Sequence, residues 1–253
     1  VHLTEYLSTN IYQFMLVFIR VSAALMAMPG LGGVLVQTRA RLWVGMSLAF
    51  VILPVVTPVI PPLPHQPAEL FLLILGEIVI GLFLGAVTQA LLASVDMAGT
   101  FVGFQVGLTN AFSFDAVSQQ QNQLLTGFLN TVALVVLFAS DLHHQMLRAV
   151  VESYDMFHPG EPLMLGDFST TLAHLATRAF EMGMRMAAPV LVFGLVFQSG
   201  MGLLSRLVPQ MQIYFVAMPV QVLLGLWMLM VALPMMMFLF VQDFSAGLGP
   251  FLK

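Results

Sequence analysis

Seven apolar stretches take up most of the chain, and they dictate what it can fold into. Their edges are Ile11–Met28, Leu42–Ile60, Leu70–Val95, Met97–Phe112, Leu124–Ala139, Leu172–Leu204 and Ile213–Val241. A helix needs about 20 apolar residues to cross the hydrocarbon core of a bilayer. The first, second, third, sixth and seventh stretches meet that length; the fourth and fifth are short. Only 8% of residues are charged and 59% are hydrophobic, against about 25% charged in an ordinary soluble domain. So few charges do not cover a water-facing surface. The expectation is an all-α, membrane-associated chain without a separate soluble domain.

Composition removes several function classes. There is no cysteine, so disulfides, thiol catalysis and thiolate metal sites are excluded. A net charge of -4 with scattered basic residues argues against nucleic acid as a partner. The opening VHLTEYLSTN lacks the basic segment of a signal peptide. Arg39, Arg41, Arg148, Arg206 and Lys253 are too few and too dispersed to fix a membrane orientation. The 19 methionines read as adaptable, lipid-compatible packing.

Between the fourth and fifth stretches lies GLTNAFSFDAVSQQQNQ, residues 107–123. It is too polar for a tight turn and too aromatic for a plain linker. With the two short stretches it forms a hairpin that need not cross fully. Irregular backbone at membrane depth is tolerated only where protein buries it or where it lines a cavity. The loop reads equally as a surface loop anchored by two aromatics or as a constriction that excludes water.

Gly99, Gly103 and Gly107 recur every four residues, as do Gly81 and Gly85. Such spacing forms a flat helix face for close packing. Arg20, Glu77, Arg178, Glu181 and Arg185 fall inside apolar stretches, where a charge costs about 2.5–3.5 kcal/mol on insertion scales. Arg178, Glu181 and Arg185 lie three and four residues apart and so share a face. They read as a self-paired ladder facing water or a partner chain, ahead of an ion relay. Glu77 has no local partner, which leaves Arg20 or a second chain. His143 and His144 are adjacent and point to different sides of a helix; with Asp141 they read as a solvated loop rather than a metal site. There is no phosphate loop, no HExxH and no catalytic triad, so no enzyme, cofactor or metal is implied.

Three segments resemble one family. GEIVIGLFLG (76–85), FVGFQVGLTNAFSFD (101–115) and SRLVPQMQIYFVAMPVQVLLG (205–225) are similar to the FliR-like proteins of flagellar type III export. The last, with Arg206, Pro209, Gln210 and Pro219, is the most specific. The resemblance implies helical hairpins that assemble into a multi-subunit pore complex with FliP-like and FliQ-like subunits and an associated FlhB-like protein. It places that complex in the bacterial inner membrane, within the flagellar basal body and largely above the bilayer plane. It further implies a FliP-like part over 1–125, a FliQ-like part over 126–253, and passage of unfolded export substrates. In such proteins a plug loop follows the glycine-rich helix. The matching positions are 107–121, including Gly107, Asn110, Ser113, Asp115, Gln119, Gln120 and Gln121, with Phe112 and Phe114 as sealing side chains. Two rivals stand beside it. One is a small-solute secondary transporter using the proline-broken second and seventh stretches and Glu77, against which no inverted repeat is seen. The other is an assembly subunit whose loop does not gate.

Overall fold

The computed structural model describes residues 3–33, 36–64, 66–107, 123–161, 165–207 and 213–252. Among these there is no strand, and the protein is all-α. Among the described residues seven α-helices follow one another: α1 (Leu3–Ala27), α2 (Thr38–Val56), α3 (Pro67–Val106), α4 (Gln123–Ala139), α5 (Leu142–Met156), α6 (Leu165–Leu207) and α7 (Ile213–Leu248). Short 3-10 turns follow α2 at Thr57–Val59 and α7 at Gly249–Phe251. Five of these described helices are long and apolar enough to cross a membrane, with a sixth span if α4 and α5 form one broken crossing.

Three boundaries differ from expectation. The third and fourth apolar stretches are one helix of 40 residues, α3. The break expected at Asp96 does not occur, because its carboxylate accepts a hydrogen bond from the Asn130 side chain of α4; a paired acid is tolerated within an apolar helix. Pro54, Pro219 and Pro234 lie inside continuous helices. Each removes one backbone hydrogen bond, a loss that neighbouring groups absorb in membrane helices. Within the mixed stretch 141–167, α5 is an amphipathic helix that buries Leu142, Met146, Ala149, Val150, Ser153 and Tyr154.

The chain forms two compact units, one from residues 1–91, 141–175 and 245–253, the other from 92–140 and 176–244. In the first unit, α1 buries Leu16, Val17, Val21, Ala24 and Leu25. Its close approach to α3 depends on small residues. A Cβ on Gly81 would lie 2.5 Å from the Arg20 carbonyl oxygen and 2.7 Å from Ala23 Cβ, and one on Gly85 would collide with Ala27 Cβ. A ring cluster adds to the core: Phe83 stacks on Phe168 with centroids 4.1 Å apart, and Phe157 meets Phe168 edge-on at 5.3 Å.

In the second unit the C-terminal part of α3 packs on three helices. Gly99 faces α4, where a Cβ would lie 2.9 Å from Thr126 Cα. Gly183 of α6 brings that helix against Ser94 and Met97, and Gly225 of α7 accommodates Val106. Phe101 meets Phe180 edge-on at 5.7 Å. Leu129, Ala133, Met186, Ala187, Val190 and Phe240 are fully buried or nearly so.

Candidate functional site

The first unit is organised around one buried cation. Arg20 is 0% exposed and Glu77 1%. Arg20 Nε donates to Glu77 Oε2 at 2.6 Å and Nη2 donates to Oε1 at 2.9 Å, a bidentate pair. Such a fork is the strongest geometry open to an ion pair of this kind. Nη2 also donates to the Phe157 carbonyl at 3.0 Å, and Nη1 to Ser153 Oγ at 3.2 Å. Ser153 Oγ in turn donates to the Val150 carbonyl at 2.7 Å. The Tyr154 ring lies 3.8 Å from the guanidinium carbon, within cation–π range. Four contacts thus occupy four of the five N–H donors that a guanidinium carries. The cluster ties α1 to α3 and α5.

The reason for this arrangement is local. Arg20 sits one turn before Ala23 and Ala24 and two turns before Ala27, the small residues on which Gly81 and Gly85 pack. Glu77 is one turn before Gly81. Close backbones bring the two side chains within reach, and the α5 residues Ser153 and Tyr154 complete the shell. Sequence reasoning located Arg20 and Glu77, each a lone charge in an apolar stretch. It missed Ser153 and Tyr154, which lie in a segment read as mixed loop.

In the second unit the expected ladder is only half present. Arg185 Nη2 donates to Glu181 at 2.5 Å, with both side chains more than 60% exposed. Arg178 instead turns to α7. Its Nε donates to Asp243 Oδ1 at 2.8 Å and its Nη2 to the Asp243 carbonyl at 3.3 Å. The Arg178 side chain is 39% exposed and that of Asp243 only 4%. A buried acid attracts the nearest cation more strongly than an exposed acid does, which is why Arg178 leaves Glu181. Asp243 went unnoticed because it lies two residues past the last apolar stretch.

The glycine face divides as well. Gly99 is packed, but among the described residues a Cβ on Gly103 would meet nothing within 4 Å. Gly107 closes α3 with φ +80°, a left-handed cap that favours glycine, and its amide donates to the Phe104 carbonyl at 3.3 Å. Beside it Gln221 Nε2 donates to the Gln105 carbonyl at 3.0 Å. A cavity of about 360 Å³ lies there, lined by Phe104, Gly107, Phe197, Met201, Met218 and Gln221. Asn110, Phe112, Ser113, Phe114, Asp115, Gln119, Gln120 and Gln121 lie outside the described residues, as do Pro209 and Gln210. Arg206 is in the last turn of α6, where a cation complements the helix dipole. Pro219 is exposed within α7.

Five helices of membrane-crossing length and apolarity, with Arg20 and Arg178 each paired to an acid within its own unit, mark a helical membrane protein. The chain belongs to the bacterial export proteins, family 1, whose model matches residues 11–247. It is 34% identical to the flagellar biosynthetic protein FliR of Caulobacter vibrioides, over 88% of this chain and 89% of that one. The FliR proteins of Bacillus subtilis and Escherichia coli are each 28% identical, covering 87% and 86% of this chain and 85% and 82% of theirs.

Proposed function

We propose that this chain is a subunit of the flagellar type III protein export gate in the bacterial inner membrane, at the flagellar basal body. It completes a pore with FliP-like and FliQ-like subunits, contacts a FlhB-like protein and passes unfolded export substrates. Its FliP-like part covers 1–125 and its FliQ-like part 126–253. The observation that carries this reading is the similarity to FliR proteins along almost the full length of both chains.

Exposed apolar side chains support it. Trp43, Phe50, Leu195, Val196, Leu223 and Trp227 are each at least 60% exposed and are available to lipid or to neighbouring subunits. The plug is the segment 107–121, with Phe112 and Phe114 sealing the pore. The left-handed stop at Gly107 and the cavity beside it support a loop that leaves α3 abruptly. The bidentate hold of Arg20 on Glu77 speaks against the transporter, which needs that acid for a solute or ion.

Two experiments test the reading. Co-expression with FliP-like and FliQ-like proteins, followed by native mass spectrometry in detergent, is expected to give a large complex with one copy of this chain. A monomer or homodimer indifferent to those partners would overturn it. Deletion of 110–119 is expected to leave the complex intact and the membrane leaky to ions; unchanged ion flux would remove the plug role.

A further inference from the structure

The turn between α4 and α5 brings together three side chains of metal-binding type. Asp141, His143 and His144 offer ligand atoms that all lie within 4.8 Å of one another. The convergence is unexpected, because neighbours on a regular helix diverge. Here the two imidazole rings are 4.1 Å apart, centre to centre, and tilted by 37°. Asp141 joins the pair through an unusual backbone conformation. It is the one non-glycine residue with positive φ among those described, at φ 57° and ψ 17°. Aspartate tolerates that left-handed conformation better than most residues. Its carbonyl accepts the His144 amide at 3.0 Å, so the acid sits over the first turn of α5 beside the two histidines.

From this geometry we infer that Asp141, His143 and His144 form a binding site for a borderline divalent transition metal of the zinc class. His144 Nδ1 and Asp141 Oδ1 are 3.4 Å apart. Two ligands about 2.0–2.1 Å from a tetrahedral zinc are themselves about 3.4 Å apart, so this edge already has the required length. His143 offers the third ligand atom, within 4.8 Å of the other two. Imidazole nitrogen with one carboxylate selects zinc, nickel or copper over magnesium or calcium, which prefer oxygen alone. Three protein ligands leave a position for water. Entry is open, since the His144 and Asp141 side chains are 70% and 78% exposed.

The test uses the full chain in detergent, purified through a tag without histidine. Calorimetric titration with zinc chloride in chelator-free buffer is expected to show one saturable site per chain, undisturbed by excess magnesium. Loss of a group that merely orients a metal ligand weakens binding about 10–100-fold. Asp141→Asn, His143→Ala and His144→Ala, which remove ligands, should each cost about tenfold or more, and His174→Ala should cost nothing. Circular dichroism and gel filtration confirm that each variant is folded. If a variant does not fold, cobalt(II) in the wild-type chain provides the readout: visible absorption that zinc displaces supports the site. A wild-type chain that takes up neither zinc nor cobalt overturns the inference, as does a folded His143→Ala/His144→Ala chain that binds zinc as well as wild type. Either result would leave Asp141 and His144 as an ordinary polar pair.

Discussion

Arg20 in the first unit and Arg178 in the second are both arginines in apolar helices, each holding an acid from another helix. Arg20 is completely enclosed and makes four directed hydrogen bonds as well as a ring contact. Arg178 is 39% exposed, with two bonds to one residue. A third arginine, Arg185, pairs on the open surface of α6. The three form a series in which the chemistry stays the same and the access of water changes. A buried pair adds little net stability over an apolar substitute, but breaking it is costly because the remaining charge is stranded. An exposed pair contributes about 0–1 kcal/mol. The first unit therefore depends on its ion pair for how its helices are matched.

The largest expected effect is at Glu77. Glu77→Ala strands Arg20 and should destabilise the detergent-solubilised chain by about 3–5 kcal/mol, read from thermal or denaturant unfolding. Replacing both partners, Arg20→Met with Glu77→Leu, should recover most of that loss. A single variant that melts like wild type would remove the contrast between the units. Next comes the helix contact that aligns the pair. Gly81→Val drives a side chain into the Arg20 backbone and should cost about 1–3 kcal/mol. Gly103→Leu should leave the isolated chain within about 0.5 kcal/mol of wild type while reducing the yield of complex with its partners. Equal melting losses at Gly81 and Gly103 would show that the spacing, and not what stands opposite, decides. Third, Arg178→Ala leaves Asp243 buried without its cation, at a cost of about 1–3 kcal/mol. A cost as large as that of Glu77→Ala would mean that water does not reach Arg178. Smallest of all, Glu181→Ala should stay within about 0.5 kcal/mol of wild type, and 0.5 M salt should not enlarge the difference.

Much of the architecture was legible because hydropathy reports length directly. All five stretches expected to be long enough to span became helices that are. The internal boundaries were not legible, because hydropathy does not distinguish a paired acid or an absorbed proline from a loop. Asp96 and Pro219 look like interruptions until Asn130 and the surrounding helices are known. Site residues divided in the same way. Arg20 and Glu77 were visible as solitary charges, whereas Asp243 lay just beyond an apolar edge and Ser153 looked like any other hydroxyl. Gly99 and Gly103 have identical spacing and different surroundings, since a four-residue period fixes a face and not its neighbour. Asp141 reaches the two histidines through its left-handed backbone, and no periodicity encodes that.

Helix α3 has 40 residues, which at 1.5 Å per residue is about 60 Å. The oily layer it resembles is about 30 Å thick. Tilting does not reconcile the two, because spanning helices lean by at most about 40° and this one would have to lean by about 60°. Roughly half its length therefore lies outside lipid, and the apolar side chains that the rest of the chain leaves exposed along it, Phe71, Leu72 and Phe104 among them, are poorly suited to water. In the gate complex proposed above, such a subunit is an orphan until it is assembled. Cells that make it without its neighbours should clear it by proteolysis, and its lifetime in the cell should track the supply of the chains that wrap it.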